Sequence, residues 1–220
     1  MREDPDRSAA CQALAAILDA AAAGQFPPAD GGVTFLAQPC SRDAGVIGFT
    51  AHSVVFADAD PHWITARLPA DDLAAPLSPA FLTALGARTS RVAHTIDMLT
   101  CAGALPGAPA LELRAEAGRS HPRIVRALRY RDNVRAWRAD GGVLLLGRGV
   151  AGRWEVAVEV DPDRHGRGVG AQLATAARHL IPAGAALWAQ VSPGNAASVR
   201  AFLAAGFRPI GAEALLSPDG

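Results

Sequence analysis

The chain has 220 residues, half of them hydrophobic and 5% aromatic, with 21 basic and 21 acidic residues. That length suffices for one large domain or two small ones, and the zero net charge supplies no global field toward nucleic acid or membrane. Every basic residue is arginine; the lack of lysine excludes a Walker-type phosphate loop and lysine-based covalent catalysis.

Read in chain order, residues 8–23 are an alanine-rich helix closed by Gly24. This stretch contains Gln12 and Asp19 and is too short to cross a bilayer. No signal peptide is legible at the N-terminus, and Cys11, Cys40 and Cys101 are too scattered for a disulfide framework or a zinc site. Both features point to a cytoplasmic protein with reduced thiols. Strands are expected at 33–37 and, as one element, over 45–58. Asp58, Asp60 and His62 have a metal-like spacing, which a polar loop explains as well, and no metal is expected. Ser78-Pro79 opens a helix that Gly86 ends. A strand follows over 91–99.

Residues 102–110 are the most linker-like stretch. The expected division is therefore 1–105, an α/β region of unknown role, and 106–220. After it come a strand at 111–115, a helix at 120–130 with Ser120 as N-cap, and strands at 134–138, 143–149 and 154–160. The tight turns between these three predict an antiparallel meander. A helix over 169–180, a strand over 186–191, a helix over 196–205 and a strand over 208–216 complete the chain.

The most informative segment joins the meander to the next helix: Val160-Asp161-Pro162, then Arg164-His165-Gly166-Arg167-Gly168-Val169-Gly170. Alternate glycines leave backbone N–H groups uncovered at a helix N-terminus, a setting that attracts phosphate. A dinucleotide fold fits poorly. The glycine spacing is wrong, Gln190 stands where an acidic residue would be, and three antiparallel strands precede the loop.

Three motifs in order resemble the GNAT superfamily of N-acetyltransferases over about 111–216. They are the glycine loop, Asn195-Ala196-Ala197-Ser198 after a strand, and Ala204-Ala205-Gly206-Phe207 at the end of the following helix. The resemblance implies an α/β fold with a mixed central sheet, two splayed parallel strands and flanking helices. The helix–strand–strand–helix–strand order of residues 1–105 allows a degenerate copy of the same fold. The implied cosubstrate is acetyl-CoA. Its pyrophosphate would meet Arg164, His165, Gly166, Arg167, Gly168, Val169, Gly170 and Ala171, and its pantetheine would meet Val158, Val160, Asn195 and the region of Phe202. Asn195 also reads as a plain helix cap, and His165 more as a phosphate-edge residue than as a base.

Direct acetylation of a primary amine, on a small molecule or a protein N-terminus, needs a base for the amine and a proton for the leaving thiolate. In the family a tyrosine often supplies that proton; its position here is Phe202. One branch uses a glutamate in the strand before Asn195; its position here is Gln190. Both are silent. Glu155 and Glu159, on the strand beside the thioester, are the first candidates for the catalytic carboxylate, with Glu112 and Glu116 behind them. A water chain, or an acyl-CoA-binding regulator that does not turn over, are the alternatives. Arg119, Arg123, Arg126 and Arg129 form a helical stripe, either a solvated face or a grip on an acidic acceptor or on the ribose phosphate of CoA. The expected partners are acetyl-CoA and an amine, without nucleic acid or membrane, in a bacterial protein that could pair as a homodimer.

Overall fold

The computed structural model describes residues 5–116, 118 and 121–218. It divides the chain into two compact units, Met1–Leu99 with Ile210–Gly220, and Thr100–Pro209. The neutral charge of the chain divides with them. Residues 100–209 carry fifteen arginines against eight carboxylates, and the other unit six against thirteen.

In the first unit, helix α1 (Pro5–Ala22) buries Ala10, Leu14, Leu18 and Ala21 at helical spacing. Strand β1 (Val33–Leu36) follows. The single strand expected over 45–58 is a hairpin, β2 (Ala44–Phe49) and β3 (His52–Phe56). Its turn places Ala51 at φ 52° without a glycine or asparagine to announce it. β1 and β3 pair in parallel at four consecutive positions, the whole of β1. This pair does not open, so it does not support a degenerate copy of the splayed fold.

A short helix α2 (Pro61–Thr65) starts at Asp60, whose carboxylate accepts from His62 N. Asp58 pairs with Arg7, so both acidic residues of the metal-like triplet have protein partners. Helix α3 (Pro79–Thr89) is capped by Ser78, as expected, but Gly86 lies inside it. A Cβ there would come within 2.5 Å of the Arg91 carbonyl oxygen, so this glycine admits the following strand rather than ending the helix. That strand, β4 (Arg91–Gly103), continues into the second unit. The C-terminal strand β10 (Arg208–Pro218) pairs antiparallel with β2 through Ala212–Leu216. The core is Val46, Val55, Ile64, Phe81, Leu82, Leu85 and Leu216.

In the second unit, strand β5 is only Arg114–Ala115. Helix α4 (Pro122–Tyr130) is capped by His121, whose ring nitrogen accepts from Arg123 N. The expected cap Ser120, and Arg119, lie outside the described residues. The meander is β6 (Asp132–Ala139), β7 (Gly142–Arg148) and β8 (Trp154–Val160), antiparallel throughout. Helix α5 (Val169–Arg178), strand β9 (Ala186–Val191) and helix α6 (Ala196–Ala204) follow. Strands run in the order β4, β9, β8, β7, β6, β5. The Thr100 hydroxyl donates to Ala189 O at 3.1 Å. Strand alternation gives the sheet two faces. Val143 and Leu145 pack on Ile124 and Ala127 of α4. Gly142 lies under Leu173 of α5 on the other face.

Candidate active site

β8 and β9 are parallel neighbours at two positions only, Trp154 with Leu187 and Glu155 with Trp188. Beyond them the strands separate, as the resemblance implied. The direction of the free edge follows from one bond. Asp161 N donates to Gly141 O on the β7 side, so Val160 O, on the same peptide, points the opposite way. Alternate residues share direction, which makes Val156, Val158 and Val160 present their backbone groups to the opening. His165 Nε2 donates to Val160 O at 3.1 Å and so occupies the last of these acceptors.

Pro162 lacks a donor and ends β8. After the 3₁₀ turn Pro162–Arg164, Gly166 and Gly168 take φ of 76° and 80°, the left-handed region that only glycine enters cheaply. Gly168 is the N-cap of α5 and offers no side chain to the helix end. The N–H groups of Gly166, Gly168, Val169 and Gly170 find no acceptor among the described residues, whereas Ala171 N is satisfied by Gly168 O. Gly170 serves packing: a Cβ there would lie 3.2 Å from the Ala201 Cβ on α6 and 3.5 Å from Val160 Cγ2.

Two arginines flank the loop and differ in role. Arg164 Nη2 is held by Asp140 at 2.8 Å, beside the β6–β7 turn. The exposed Arg167 side chain has no partner among the described residues. Asn195 caps α6, its Oδ1 accepting from Ser198 N at 3.0 Å. Phe202 is buried, edge-to-face on Phe207 with ring centroids 4.9 Å apart.

The face of β8 toward α4 carries Glu155, Ala157 and Glu159, and its two carboxylates have different environments. Glu159 is 45% exposed, with Oε2 accepting from Arg123 Nε at 3.0 Å. Glu155 is 3% exposed. Its Oε2 accepts from Arg131 Nε at 2.7 Å, and its Oε1 from Arg153 Nε at 2.8 Å and from Gln190 Nε2 at 3.2 Å. Burial alone would raise its pKa; the charges of Arg153 and Arg131 and their hydrogen bonds outweigh this and hold it at about 2. A carboxylate so acidic, with both oxygens occupied, is a poor base at neutral pH. Arg153 escaped notice in the sequence, although Arg153-Trp154-Glu155 places an arginine and a glutamate two residues apart on one strand face.

The acetyltransferase (GNAT) family model matches residues 127–207. No curated protein matches the chain. Among solved structures, a GCN5-related N-acetyltransferase from Kribbella flavida is 18% identical with a TM-score of 0.41; the alignment covers 63% of this chain and 64% of that one. A putative GNAT-family acetyltransferase from Novosphingobium aromaticivorans is 21% identical with a TM-score of 0.37, covering 60% of this chain and 69% of the other. The chain thus spans just under two thirds of the first of these proteins. The family match thus makes residues 127–207 similar to the acetyltransferase domain of the GNAT family.

Proposed function

We propose that this protein transfers an acetyl group from acetyl-CoA to a primary amine, directly and within a ternary complex. The observation that carries the reading is the parallel pair that opens after Glu155 and Trp188, beside a loop with four N–H groups that find no acceptor among the described residues. Gly166, Gly168, Val169 and Gly170 would hold the pyrophosphate through backbone donors, with Arg167 as the nearby free cation. The edge of Val156 and Val158 would pair with the pantetheine amides, and a backbone N–H there would polarise the thioester carbonyl. The Asn195 amide nitrogen stays available to the same ligand while its oxygen caps α6. When bound, the thioester supplies an activated acyl group; the protein supplies orientation and proton transfer.

Glu159 is the carboxylate we assign to take the amine proton, because it is accessible and Glu155 is not. Phe202 and Gln190 have no proton to exchange at neutral pH. Phe202 is engaged with Phe207 and Gln190 with Arg131 and Glu155. Those two positions favour a second reading, an acyl-CoA-binding regulator without turnover. Thiol release from acetyl-CoA over a panel of primary amines decides between them. Turnover that falls roughly 100-fold or more in Glu159→Gln fits the loss of a general base. Acetyl-CoA binding without thiol release for any amine would favour the regulator.

A further inference from the structure

Arg131 stands at the C-cap of α4, where its N–H still bonds Ala127 O at 2.9 Å. Its side chain reaches β8 and β9 at the register where they part. Nε donates to Glu155 Oε2 at 2.7 Å and Nη2 to Gln190 Oε1 at 3.2 Å. These two donors form one edge of the planar guanidinium. Nη1 has no acceptor among the described residues, and the side chain is 14% exposed. One fork is therefore fastened to the protein and the other is open.

Glu155 is shared between Arg131 and Arg153, so one carboxylate faces two guanidiniums.

Two glycines show that the arrangement is built in. Gly147 lies inside strand β7 without a positive φ, so its backbone does not require glycine. A Cβ at Gly147 would lie 2.8 Å from Arg131 Cβ and 3.1 Å from its Cδ. A Cβ at Gly149 would fall within the Glu155 carboxylate. The chain is bare where the arginine stem and its counterion pass.

We infer that Arg131 is the acceptor's anion anchor: the amine acetylated by this protein carries a carboxylate, which the open fork of Arg131 binds in a bidentate manner. The inference rests on the opening between β8 and β9 being the acyl-transfer cleft. A guanidinium fork matches a planar carboxylate in two parallel N–H to oxygen bonds, and fixing Nε and Nη2 on the protein sets its orientation beforehand.

The test compares matched acceptors with the full chain: an α-amino acid against its decarboxylated amine, and phosphoethanolamine against ethanolamine. The expected kcat/KM favours the carboxylated amine by roughly 10- to 100-fold, the range of a charged hydrogen-bonded contact. Arg131→Lys, which keeps a cation beside Glu155, is expected to bring the members of the carboxylate pair within a few-fold of each other, mainly through KM. Gly147→Ala, which displaces the arginine stem while leaving the arginine, is expected to do the same, with thermal midpoints recorded for both variants. Calorimetric binding of the amines to the CoA-saturated protein repeats the comparison without turnover. A wild-type protein that binds CoA but shows no carboxylate preference overturns the inference alone, as does a preference that survives in a folded Arg131→Lys protein or one confined to the phosphorylated amine. Failure to bind CoA would overturn the proposed function as well.

Discussion

Glu155 and Glu159 lie four residues apart on the same strand face, and their surroundings give them opposite characters. Glu155 is the anion of a buried cluster, and removing its charge takes a shared ion-pair partner from Arg131 and Arg153. Glu155→Gln is expected to cost about 3–5 kcal/mol, the usual penalty for breaking a buried pair from one side, as read by denaturant unfolding. Because the folded-state pKa is lowered from 4.5 to about 2, the stabilisation is complete above about pH 4.5 and is lost as pH falls toward 2. The stability gap between wild type and variant should shrink over that acid range and stay level from pH 5 to 8. A gap that widened on acidification would contradict the assignment. Glu159 lies at the surface and is the proposed general base, so the Glu159→Gln variant should keep the wild-type thermal midpoint while losing turnover.

Elements were legible in the sequence where their signals are local. β8 and β9 have the expected bounds, because β-branched and apolar runs end at Pro162 and at the Ser192-Pro193 turn. The loop and the cap at Asn195 were legible for the same reason. The β2–β3 hairpin was not, since Ala51 adopts a left-handed conformation with no turn residue to mark it. Gly86 misled for a different reason: its function is to admit a carbonyl from a strand that only tertiary structure brings near. Gly86→Ala tests this. Helix propensity alone would gain up to about 1 kcal/mol, but a Cβ 2.5 Å from Arg91 O must displace backbone. The expected outcome is a net loss of about 1–3 kcal/mol in thermal or denaturant unfolding. A stabilised variant would restore the reading of Gly86 as a simple helix terminator. The cluster of Arg131, Glu155, Gln190 and Arg153 gathers residues up to 59 positions apart. No periodicity could have assembled it, and only the Arg153–Glu155 pair was within reach of the sequence.

The molecule as a whole is neutral, and that neutrality conceals a division. The unit that contains the glycine loop has seven more arginines than carboxylates, and the other unit has the reverse. A field of this sign around the loop favours a polyanionic ligand such as CoA and makes the association sensitive to ionic strength. Among the described residues no helix is long and apolar enough to cross a membrane. The proposed function stands or falls with the grip of the glycine loop on acetyl-CoA. Its most direct test is a calorimetric titration of the protein with acetyl-CoA beside Gly168→Glu, which places a carboxylate among the loop donors at a φ of 80°. The expected outcome is binding at roughly micromolar strength, typical of enzyme substrates, weakened by added salt and abolished in the variant. Wild-type and variant proteins that bind equally well, or a wild type that does not bind at all, would contradict it.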